Sequence, residues 1–153
     1  MKTFTVAALV ALIASAASIA NARDDGPSPE PSAEETKSFA SSYMGMGLEN
    51  KLSEREIANS LASEIIWLEK VQLVCPSYYY VNARRLRYEY LLRQGSWAMM
   101  FGPGKTSTSI MNEASAKRNQ EFNNSLSKKE WCEGIKAFGI KGFGWGPLFE
   151  IDK

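Results

Sequence analysis

Two cysteines, Cys75 and Cys132, and the absence of any histidine define the chemistry open to this 153-residue chain. Without imidazole there is no Ser-His-Asp triad, no Cys-His dyad and no His-ligated zinc, and two thiolates cannot complete a Cys-rich structural zinc site. No metal or other cofactor is therefore expected. What remains for catalysis is carboxylate, tyrosine, lysine, serine or thiol chemistry. An even cysteine count in an exported chain favours a disulfide, here Cys75 to Cys132. Such a link closes a loop of about 57 residues, which chain entropy values at about 4 kcal/mol.

Glu64 is a candidate buried carboxylate, because it falls inside an apolar stripe between Leu61 and Leu68. An unpartnered buried carboxyl has a raised pKa and can act as a general acid. The competing reading is a carboxylate at the stripe edge or paired to an arginine of the next helix, and glycoside hydrolysis needs two placed carboxylates. The segment Tyr78 to Tyr90 interleaves arginine with tyrosine, a pairing common in binding surfaces. Arg84 and Arg87, with Tyr88 nearby, are the candidate partner-binding residues, because they share a helix face off the apolar line through Ala83, Leu86 and Tyr90. A plain solvated face, with Arg85, Glu89 and Arg93 pairing at i, i+4, explains the same residues. Gly104-Lys105-Thr106 resembles the end of a phosphate-binding loop, but Met99 stands where the first glycine is needed, so no nucleotide is expected. Asn123-Asn124-Ser125 matches a glycosylation sequon inside a predicted helix, behind a leader of bacterial appearance, and carries little weight here.

The elements that must position these residues begin after a leader. Lys2, the apolar run Val6 to Ala20 and Ala20-Asn21-Ala22 read as a secretory signal over residues 1–22, cleaved after Ala22. The run is short for a membrane span. Of 18 bases and 17 acids only Lys2 falls in the leader, so the mature chain is formally neutral, and no strong field steers it to nucleic acid. Residues 23–36, rich in proline and acid, are assigned to a disordered linker, and residues 37–153 to one helical domain. Phe39 to Gly47 is expected to form a short helix or loop that packs as a flap.

Ser53-Glu54-Arg55-Glu56 is a capping box that opens the strongest helix, running to about Val74 with Ile57, Leu61, Ile65 and Leu68 at helical spacing. Pro76 ends it. A second helix is predicted from Tyr79 or Asn82 to Gln94 with Gly95 as its stop, and a third over Ser109 to Leu126. Ser127-Lys128-Lys129-Glu130 is a second capping box, opening a short helix that carries Trp131, Cys132, Ile135 and Phe138. A glycine-aromatic tail follows, in which Trp145 and Phe149 are expected to pack back. Leu61, Ile65, Leu68, Leu86, Trp131 and Ile135 are the expected core.

The fold class implied is all-α: a small disulfide-stapled helical bundle with a disordered acidic N-terminal linker and a Gly/aromatic C-terminal tail. The layout is similar to that of many small two-cysteine helical proteins of the bacterial periplasm. The leading functional expectation is an exported, non-enzymatic binding protein of the periplasm, or a secreted one, whose partner is an envelope or host protein or an anionic polysaccharide. Nucleic acid, nucleotide and a transmembrane segment in the mature chain are not expected. An envelope stress chaperone exposing Met44, Met46, Met99 and Met100 is one alternative. A carboxylate-dependent cell-wall sugar enzyme built on Glu64 is the other.

Overall fold

The computed structural model describes residues 30–125, 127–140 and 148–149, with side chains of 137–140 left out. Residues 1–22, read as a signal, residues 23–29 of the assigned linker, and Trp145 with its neighbouring glycines lie outside the described residues. Among the described residues there are five α-helices, one 3-10 turn and a single isolated β-bridge.

Helix α1, Ala33–Glu49, starts inside the stretch assigned to a linker. Its cause is a capping box: the Ser32 hydroxyl accepts from the Glu35 N–H, and the Glu35 carboxylate accepts from the Ser32 N–H at 2.8 Å. The folded region thus reaches back to Ser32, with Thr36 and Ala40 already buried, and 39–47 is part of a full helix, not a flap. Helix α2, Glu54–Val74, begins at the predicted Ser53–Glu56 box and buries Ile57, Ala58, Leu61, Ala62, Ile65, Leu68 and Val71. A helix with this many buried positions needs partners on several sides, and α2 packs against both α3 and α4. Pro76 turns the chain through a 3-10 turn, Cys75–Ser77.

Helix α3, Ala83–Phe101, is capped by Asn82, whose side chain accepts from the Arg85 N–H. It runs straight through Gly95, the predicted stop. Gly95 serves close approach instead: a Cβ there would stand 3.1 Å from Thr36 Cγ2 of α1. The actual stop is Gly102, at φ 59°, where a side chain would be strained, with Pro103 following. Helix α4, Lys105–Asn123, starts and ends earlier than predicted. Helix α5, Lys128–Ile140, opens at the second capping box, where Ser127 Oγ accepts from the Glu130 N–H at 3.1 Å.

Helices α2 and α3 run antiparallel, so Leu68 and Val71 meet Leu86 in one apolar cluster while Leu61 and Ile65 meet Trp97 in another. The first cluster holds the Cys75–Cys132 disulfide, whose Cα atoms are 5.6 Å apart. Leu148 and Phe149 complete that cluster, held by the Val81–Phe149 bridge and by Asn82 N–H donating to the Leu148 carbonyl at 2.8 Å. Phe149 thus packs back as expected. Leu61, Ile65, Leu68, Leu86 and Ile135 are buried; Trp131 is only half-buried, set edge-on against Phe122.

Candidate functional site

The N-terminal turns of α3 carry the arginine–tyrosine segment. Asn82 fixes where the helix starts, and that start fixes which side chains face out. Asn82, Arg84, Arg85 and Tyr88, with Glu35 from α1, line a surface groove of about 380 Å³. The Tyr88 hydroxyl donates to Glu35 Oε1 at 2.8 Å and the Arg85 guanidinium lies over the Tyr88 ring at 5.6 Å. Glu35 is held below the usual carboxylate range, first by the Ser32 N–H, then by the hydroxyls of Ser32 and Tyr88. The same bond pushes the Tyr88 phenol up, because its proton is shared with a carboxylate. The groove therefore takes Arg84 and Tyr88 from the expected trio and adds Asn82, Arg85 and Glu35. Arg87 is half-buried and lies outside the lining.

Behind the groove runs an ionic row. Arg85 pairs with Glu89, Glu89 with Arg93 Nη1, and Arg93 Nε donates to Glu64 Oε2 at 2.7 Å. Glu64 Oε1 accepts from the Tyr43 hydroxyl at 2.7 Å. The i, i+4 pairing of Arg85, Glu89 and Arg93 was legible in the sequence as a solvated face. Only Arg85 is at the surface: Glu89 and Arg93 are each 3% exposed, because α1 lies over this side of α3 and places Phe39 5.1 Å from the Arg93 guanidinium. Burial, then the Glu64 charge, push the Tyr43 phenol up. Glu64 is thus the arginine-paired carboxylate of the two readings, with both oxygens accepting.

A second groove, of about 520 Å³, opens at the other end of the bundle between Ala58, Met100, Phe101 and Ile110, with Arg55 and Thr106 at its edge. Met46 and Met99 are exposed, whereas Met44 and Met100 are half-buried. Among the described residues no helix is long and apolar enough to cross a membrane, and no group of three or more Cys, Asp and Glu side chains is placed to hold a metal ion. The chain matches no protein family, no curated protein and no solved structure.

Proposed function

We propose that the protein is an exported, non-enzymatic binding module that captures an acidic protein surface through the groove at the start of α3. The supporting observation is the convergence of Arg84, Arg85, Tyr88 and Asn82 on one concave surface. Arginine and tyrosine give directional contacts with little rotamer entropy to lose, which is why they dominate binding hot spots. The row from Arg85 through buried Glu89 and Arg93 to Glu64 supports the groove from below, so Arg85 is partly ordered before a partner arrives. The disulfide fits a protein that works where thiols are oxidised. Glu64 fits this reading better than the sugar-enzyme alternative, because its two oxygens are engaged by Arg93 and Tyr43.

The test is capture of crosslinked neighbours by the mature protein, with and without Arg84→Ala plus Arg85→Ala, the two exposed arginines of the groove. Losing a hot-spot arginine weakens a complex by about 2 kcal/mol, roughly thirtyfold, while an exposed helix stays folded. Salt should weaken the same complex. Capture of a purified anionic polysaccharide in place of protein would reassign the partner. Full retention of the partner by the double variant overturns the reading. The chaperone alternative draws on the exposed Met46 and Met99 and the apolar second groove. It is distinguished by suppression of aggregation of many unrelated clients, unaffected by the two arginines.

A further inference from the structure

The last residue of α4 and the turn after it carry Asn123-Asn124-Ser125, an Asn-x-Ser acceptor sequence with a non-proline middle residue. We propose that Asn123 is a glycosylation site, to which an oligosaccharide is transferred from a polyprenyl-diphosphate donor during export. This shares with the proposed function only the premise of export.

The sequence places the motif in a helix that runs on to residue 126, where the acceptor amide sits on a continuous hydrogen-bonded ladder. The helix instead ends at Asn123, and Asn124 is its C-cap. Asn124 N–H still bonds the Gln120 carbonyl at 2.9 Å, but Ser125 N–H turns back to the Phe122 carbonyl at 3.3 Å, so the motif straddles the point where the helix gives way to a turn. The Ser125 hydroxyl closes the turn by donating to the Glu121 carbonyl at 3.1 Å. Asn123 is exposed, and so are Asn119, Gln120, Glu121 and Asn124 around it, so a bulky glycan meets polar surface and water and displaces no packing.

Three other asparagines are committed. Asn50 donates to the Met46 carbonyl, Asn82 caps α3, and Asn119 reaches Ser115. The Asn123 amide has no hydrogen-bond partner among the described residues. No other asparagine of the chain has Ser or Thr two residues on. Glu121 stands two residues before the acceptor, so the motif reads acid-x-Asn-x-Ser. Cys132, nine residues further on, is oxidised in the same kind of compartment in which such transferases act. Helix α4 contributes nothing to the Arg84 groove, so a glycan at its end leaves that groove open.

The transfer balances without a redox step. The Asn123 Nδ2 attacks the anomeric carbon of the donor, and a C–N bond forms. The carbon–oxygen bond to the diphosphate breaks, and the lipid diphosphate leaves with the electron pair. The amide proton passes to a base of the transferase.

The experiment is mass spectrometry of the tryptic peptide 119–128 from the full chain exported by its own cells, beside Asn123→Gln, Ser125→Ala and Ser125→Thr. The expected result is a glycan on Asn123, absent from the first two variants and retained in Ser125→Thr. Ser125→Thr keeps the test open should either of the others fail to accumulate. Only unmodified peptide in the exported protein overturns the site, and so does a glycan that survives Ser125→Ala.

Discussion

Replacing Arg93 by methionine tests whether the buried ionic row holds α1, α2 and α3 together. Arg93 is 3% exposed and is the one cation in contact with both Glu64 and Glu89 among the described residues. Methionine keeps most of the aliphatic volume and removes the charge. Breaking a buried pair from one side costs about 3–5 kcal/mol, because the remaining charge is stranded. Two features move this case to the low end: Glu89 keeps Arg85 at its surface side, and Glu64 keeps the Tyr43 hydroxyl. The expected loss is about 3 kcal/mol, or a melting temperature lower by about 12 °C for a domain of this size. Urea denaturation of the oxidised protein, followed by circular dichroism, measures it. Adding Glu64→Gln to Arg93→Met should cost less than the sum of the two single changes. A loss below about 1 kcal/mol, or a double variant whose cost equals the sum of the two single changes, would falsify the idea that the row is a structural tie.

Removing the disulfide with Cys75→Ala plus Cys132→Ala should cost about 4 kcal/mol for a 57-residue separation, read as a lower urea midpoint; a midpoint shift equivalent to less than about 1 kcal/mol would mean the unfolded chain is not what the link restrains. Gly47→Ala should destabilise by about 1–3 kcal/mol despite alanine's helix preference, because the new Cβ would run into Cγ1 and Cδ1 of buried Ile57; a gain in stability would show that Ile57 has room to turn aside. Ser53→Ala should narrow its deficit in acid. The Ser53 hydroxyl and N–H lower the Glu56 pKa, so the cap's charge-dependent part is present above the ordinary glutamate value and is lost as pH falls through the lowered one. A deficit independent of pH between 7 and 3 would assign the cap to the serine alone.

Local signals fixed much of the architecture. The boxes at Ser53–Glu56 and Ser127–Glu130 set two helix starts, the Ile57–Leu61–Ile65–Leu68 line set the buried side of α2, and the even cysteine count behind a leader-like run pointed to the disulfide. Each depends on residues a turn apart or on composition, which a linear reading contains. The Ser32–Glu35 box is equally local, but it lies in a stretch whose proline and acid read as a linker, so a helix start there is not expected from the sequence. What needed the tertiary structure is whatever a neighbouring element decides. Gly95 reads as a stop until Thr36 is seen against it, and Arg93 and Glu89 read as solvated until α1 covers them. The tertiary structure also divides the arginines: Arg84 and Arg85 line the groove with Glu35 of α1, and Arg87 does not. Helical periodicity says which side chains share a face. It does not say whether that face meets water or another helix, because burial is a property of the pair of surfaces and not of either one.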